Sequence, residues 1–236
     1  MTITYLALSD KVGWGMMNRA AAICRHLPDV HVFASGDMTP LEYFDIPYTK
    51  VDRVEAAYTG WDGFVVVDAF HQNIRADVHI WRAGRPAPRH PHVIYAEPTG
   101  IDLPYYWPIF PLRDDEILTR EQARDELGWD QDAHLRVFIP SRSGDIPTGD
   151  HDVVLDRYPA MKYLRAADVI LTACGTNIYG EAKYLGVEAE WTFAHPEQEE
   201  RLERVLRPDA DEIWKIVPDA ARKAAEYIQS VQRGDL

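Results

Sequence analysis

The feature that most limits what this chain can fold into is the run Gly63-Phe-Val-Val-Val-Asp68, apolar without a break and bounded by a glycine and an acid. A strand with one wet face alternates apolar and polar residues. An unbroken β-branched run needs protein on both faces, as inside a parallel sheet covered by helices. Further short strand patterns fall at 3–8, 30–33, 92–96, 135–139, 152–155 and 168–172, with an edge strand at 186–193. Helical patterns lie between and after them, at 17–27, 74–81, 120–127, 161–167, 178–185 and 197–206, with a long or broken helix over 211–231 interrupted at Pro218. Strands alternating with helices require crossover connections, so the expected class is α/β with parallel sheets.

Two lobes are expected rather than one. Between Pro98 and Pro111 the chain is dense in proline and aromatics (Pro104-Tyr-Tyr-Trp-Pro-Ile-Phe-Pro111), which suits neither a helix nor a central strand. Thr119 is then a good N-cap for a helix over 120–127, and Gly128 stands in the stopping position. The expected division is a first Rossmann-like lobe over 1–112, a reduced second lobe over 113–210, and a C-terminal helix over 211–236 that packs back on the first. The second lobe is reduced because a helix has little room between Ile139 and Asp152.

Composition bounds the setting. With 46% hydrophobic and 27% charged residues in 236, the chain can bury a core large enough to offset its conformational entropy. A net charge of −13 repels polyanions and argues against a protein whose main work is gripping nucleic acid. No leader pattern precedes the first strand, no run of about 20 apolar residues occurs, and Cys24 and Cys174 lie in no metal-binding spacing. A cytoplasmic protein with two reduced thiols and no metal is expected.

In open α/β sheets ligands sit beyond the carboxyl ends of the strands, which picks out the loops after Leu8, Val67, Tyr95, Ile139 and Thr172. The segment Arg165-Ala-Ala-Asp-Val-Ile-Leu-Thr-Ala-Cys-Gly-Thr-Asn-Ile-Tyr-Gly-Glu-Ala-Lys-Tyr-Leu-Gly-Val187, followed by His195-Pro-Glu-Gln-Glu-Glu-Arg201, occupies the last of these. It resembles the donor-binding half of glycosyltransferases built from two Rossmann domains (GT-B), most closely the peptidoglycan N-acetylglucosaminyltransferase family. Val12-Gly-Trp-Gly-Met-Met-Asn-Arg19 resembles the Gly-x-Gly-His-x-x-Arg loop of related transferases and nucleotide-sugar hydrolases, with Met16 in the place of their histidine.

The resemblance implies a nucleotide-sugar site in a cleft between two lobes, with the nucleoside-diphosphate sugar as substrate and no resident cofactor. A helix N-terminus presents N–H groups to a diphosphate, and Gly175, Thr176 and Asn177 stand where that would happen. Glu181, one helical turn after Asn177, suits both hydroxyls of a ribose, and the family uses its matching glutamate so. Arg142 and Ser143, in the small polar loop after Ile139, would hold the leaving group. Gly13 and Gly15 belong to the N-terminal loop, and Gln198 matches a family glutamine on the donor sugar.

Asp10 is the first choice of catalytic base, ahead of Asp68, His71 and Glu97. All four also read as helix caps or surface groups, as Gly175-Thr-Asn reads as an ordinary N-cap and Arg142 as a solvated turn residue. Tyr105, Tyr106, Trp107 and Phe110 read either as a stacking platform for a sugar or base, or as packing. The expected activity is transfer of a sugar to a hydroxyl acceptor without a metal. The alternatives are a nucleotide-sugar hydrolase or epimerase, or a binding protein without turnover. The acceptor stays open between a small molecule, a lipid, a protein and a modified nucleic-acid base.

Overall fold

A computed structural model describes residues 2–9, 15–69, 74–81, 90–96, 105–140, 150–173, 175–192, 196, 199–200, 203 and 215–236. The protein is α/β and divides into two compact units, Met1–Pro111 with Lys215–Leu236, and Leu112–Trp214. Among the described residues no helix is long and apolar enough to cross a membrane.

In the first unit, β1 (Ile3–Leu8), β2 (Val30–Ser35), β3 (Tyr48–Lys50), β4 (Phe64–Ala69), β5 (Val78–Trp81) and β6 (Val93–Tyr95) form one sheet. Their order is β3-β2-β1-β4-β5-β6, with every pairing parallel. This is the 3-2-1-4-5-6 order of Rossmann sheets, in which the direction of winding reverses between β1 and β4. The valine run has the two covered faces that its composition requires. Val66 enters the core shared with Ile3, Tyr5 and Met17, whereas Val65 and Val67 enter the one built on Leu6, Leu8 and Ile74.

Helix α1 (Gly15–Cys24) lies against β1, α2 (Thr39–Tyr43) and the C-terminal helix α6 (Ala220–Arg233). Its Ala20-Ala-Ala22 stretch is buried, and small side chains let the neighbouring elements approach. Helix α6 presents Ala220, Ala224, Ala225 and Ile228 to the core at helical spacing. Burying Ile228 alone is worth about 1.5–3 kcal/mol. Helix α3 (Arg53–Tyr58) starts at Asp52, whose carboxylate accepts from the amides of Val54 and Glu55.

The structure corrects one sequence expectation and refines another. Residues 74–81 are not a helix: Val78–Trp81 is strand β5, between β4 and β6. Valine, isoleucine and tryptophan favour a pleated surface, and the Asp77 carboxylate accepts from the Val65 amide at 2.7 Å, pinning the strand's entry. The segment near Met161 is a 3-10 helix, Ala160–Ala166.

The second unit holds a four-stranded parallel sheet in the order β10-β9-β7-β8, made of β7 (Arg136–Phe138), β8 (Val153–Val154), β9 (Val169–Ala173) and β10 (Glu188–Thr192). Numbered within the unit this is 2-1-3-4, the flavodoxin-like order as far as it goes, with its switch point between β7 and β9. Helix α4 (Arg120–Leu127) has the expected capping box between Thr119 and Gln122, and it stops at Gly128 with φ 71°, which favours glycine.

One clasp sets the amino ends of β7 and β9. Asp168 accepts from the Leu135 amide at 2.8 Å, from Arg120 at 2.7 and 3.1 Å and from Arg124 at 2.9 Å. Arg124 is fully buried and also donates to the carbonyls of Asp130, Gln131, Ala133 and Ala166. Arg120 above all holds the Asp168 carboxyl well below the usual carboxylate range.

Candidate functional site

The switch-point rule selects one place in each unit. In the second unit it is where β7 and β9 end side by side, and Thr172 ties the two ends together by donating to the Ile139 carbonyl at 3.0 Å while buried. The chain leaves β9 and starts α5 (Thr176–Leu185) with Gly175 as N-cap. Gly175, as N-cap, brings no side-chain cap of its own to this helix. Its first turn therefore offers a positive dipole end beside the carboxyl ends of the two central strands.

Gly175 has φ −98°, open to any residue, and an added Cβ would stand 3.6 Å from Ile178 Cγ2, an ordinary contact. The fold itself does not demand glycine there. A glycine at this point leaves the backbone bare to an approaching group, as in dinucleotide-binding turns.

Glu181 lies on the buried side of the same helix with Thr176, Gly180 and Ala182. Its residue exposure is 6%, and no hydrogen bond or ion pair to its carboxyl occurs among the described residues. Burial alone pushes its pKa up to about 7. A carboxyl in that state can exchange a proton near neutrality or accept from a ligand's hydroxyls.

Gly175, Thr176, Asn177 and Glu181 thus share one strand-to-helix segment, with Asn177 half-buried. Arg142, Ser143 and Gln198 lie outside the described residues, as do Asp10, Gly13, His71 and Glu97. Gly15 is exposed at the first position of α1, in the other unit.

The first unit's switch point is built differently. Arg19, from the N-terminal loop motif, is buried and donates to Asp68 through Nε at 2.8 Å and Nη2 at 2.5 Å. The Tyr5 hydroxyl donates to the same carboxylate at 3.3 Å, and burial is the main cause of its raised pKa. Asp68 is therefore the structural partner of Arg19, which disfavours it as a base. Met16 is buried in the core. The aromatic run is packing: Trp107 is 1% exposed, Tyr106 lies against the first core and the Tyr105 hydroxyl donates to the Lys215 carbonyl at 3.1 Å.

A hollow of about 510 Å³ opens between Cys24, Asp29, Phe44 and Pro47. It lies where β2 and β3 begin, the opposite end from the switch point, and burial pushes the Cys24 thiol well up, away from reactivity. The Arg19–Asp68 pair, 49 residues apart, and the Arg124–Asp168 clasp were beyond local sequence reasoning. Only the Arg at the end of the glycine loop and the acid ending the valine run hinted at the first.

Fold and site together define an α/β protein of two open parallel sheets, each with a switch point where ligands are received in such sheets. No protein-family model matches the chain, and no curated protein matches it either.

Proposed function

We propose that the protein is a GT-B type glycosyltransferase that binds a nucleoside-diphosphate sugar at the β9–α5 turn and transfers the sugar to a hydroxyl acceptor in the cytoplasm. The observation that carries the reading is Glu181, a carboxyl buried on α5 with no hydrogen bond or ion pair among the described residues. A buried carboxyl lacking a donor is costly, and a ribose diol supplies two. The α5 N-terminus and the bare backbone at its glycine N-cap, Gly175, support a diphosphate next to it. In this reading Thr176 and Asn177 line the diphosphate, Arg142 and Ser143 neutralise the leaving group without a metal, Gln198 contacts the sugar and Asp10 takes the acceptor proton.

Binding without turnover is the second reading. The burial of Met16, where related enzymes carry a histidine, favours it.

The test is a thermal-shift screen against nucleoside diphosphates and their sugar conjugates, with Glu181→Ala and Asn177→Ala beside the wild type. A ligand at 100 times its Kd stabilises by about 2.7 kcal/mol. A selective shift that Glu181→Ala abolishes is expected, and no shift with any diphosphate rejects the donor site. Sugar release from the bound conjugate on adding acceptors then separates transfer from mere binding.

A further inference from the structure

Three histidine rings lie in a row where β5 and β6 begin. Val78 and Ile80 of β5 enter the first core, so His79 between them turns to the other side of the sheet. His90 stands just before β6, its ring 4.9 Å from that of His79 and 6.2 Å from that of His92. His92, two residues before the core residue Ile94, takes that residue's side, and its Nδ1 is 3.3 Å from the Tyr227 hydroxyl of α6. The row thus runs round the end of the β5–β6 pair, from one face of the sheet to the last helix.

The rings differ in what a second proton would meet. His90 Nδ1 is 3.1 Å from both the amide and the carbonyl of His92, so it accepts from the one when neutral and donates to the other when charged. His92 has the same freedom, because the Tyr227 hydroxyl can donate or accept. His79 has none: it is 2% exposed, and its Nδ1 is buried without a partner. A neutral ring can leave that nitrogen bare, whereas a charged ring must place an N–H there with no acceptor.

Nothing charged nearby offsets such a proton. Val67, opposite His79 on β4, is apolar. Asp77, ahead of β5, is exposed and already accepts from the Val65 amide. On α6, Glu226 is exposed and paired with Arg222, and Lys223, one turn before Tyr227, is itself a cation. The phenols of Tyr106 and Tyr227 carry no charge in acid. Among the described residues no carboxylate bonds to any of the three rings. Burial, with His90 adding to it, lowers the His79 pKa to about 4.

We propose that the three histidines are an acid-operated latch: in mild acid β6 comes away from β5 and gives up its hold on α6, while the rest of the first sheet stays paired. Strand β6 is the element that yields, since it is a three-residue strand at the edge of the sheet.

Amide hydrogen exchange of the whole chain, read by mass spectrometry at pH 7.5 and pH 4.5 and corrected for chemical exchange, tests it. Protection over 90–96 and 220–233 should fall about tenfold in acid, leaving both segments faster than β1, β2 and β4. His79→Gln should abolish the fall, and His90→Gln, at a half-buried position, should reduce it. If His79→Gln does not fold at pH 7.5, His90→Gln decides alone. Unchanged protection over 90–96, one common rate for all six strands in acid, or an undiminished fall in a folded variant overturns the latch. A fall over 90–96 without one over 220–233 overturns the hold on α6.

Discussion

Each unit buries a carboxyl near the switch point of its sheet, and the two are handled in opposite ways. In the first unit Asp68, 1% exposed, accepts two bonds from Arg19 and one from Tyr5. In the second, Glu181 is almost as deeply buried and the described residues give it no donor. Paired burial of charge is a structural arrangement whose loss is felt as instability. Unpaired burial weakens the fold, and keeping the group makes physical sense where a ligand completes the pairing. The comparison teaches that two carboxyls of similar depth differ in whether the fold supplies them a partner.

The largest effect should come from breaking the paired side. Asp68→Ala leaves the Arg19 guanidinium buried without its carboxylate and is expected to cost about 3–5 kcal/mol in denaturant unfolding. A loss under about 1 kcal/mol would remove the contrast between the units.

Next is Glu181→Gln. The folded pKa of about 7 lies above the ordinary glutamate value of 4.5, so the folded state holds this proton more tightly than the unfolded one. Wild-type stability falls as pH rises from 4.5 to 7, and is flat beyond. The variant should therefore gain about 3 kcal/mol at pH 8 and nothing at pH 4.5. An equal difference at both pH values would show that packing, not ionisation, is what changed.

The first unit should respond to acid in the reverse sense. His79 on β5 is buried, its Nδ1 has no partner, and its ring stands 4.9 Å from that of His90. Burial, with His90 adding to it, lowers its pKa from 6.5 to about 4. Its contribution is present above pH 6.5 and lost as pH falls towards 4, about 1–2 kcal/mol after allowing for screening. His79→Gln should flatten that limb of the stability profile, and an unchanged limb would place the acid sensitivity elsewhere.

The smallest effect sharpens the comparison on the ligand side. Gly175→Ala meets only an ordinary contact with Ile178 and should change stability by about 0.5 kcal/mol or less. Diphosphate affinity should nonetheless fall, and unchanged affinity would remove the glycine from the site.

Much of this frame was legible locally. The valine run announced a strand covered on both sides, and Thr119 and Gly128 marked both ends of α4. Residues 74–81 misled because a short stretch mixing valine, isoleucine and tryptophan with charge fits either period, and only its parallel pairing with β4 and β6 decides for a strand. Helices α2 and α3 and strand β3 were too short to raise a periodic signal, although Asp52 is a fair cap. The Gly175-Thr-Asn turn and Glu181 of the proposed site were named from their order along the chain, and the structure places them on one strand-to-helix segment. That Glu181 lacks a partner, and that Asp68 has one in Arg19, are properties of three-dimensional neighbourhoods and leave no mark on local sequence.

The first unit also takes its last helix from beyond the second, since Leu112–Trp214 intervenes before Lys215–Leu236. During synthesis on the ribosome, β1 to β6 emerge early, yet the α1 surface that meets Ala224, Ala225 and Ile228 stays uncovered until the final helix is made. The second unit, one unbroken stretch of chain, has all its residues earlier. The unit whose strands are made before Leu112–Trp214 is thus completed only after it, and a premature stop within α6 would strip cover from a core laid down some two hundred residues before it.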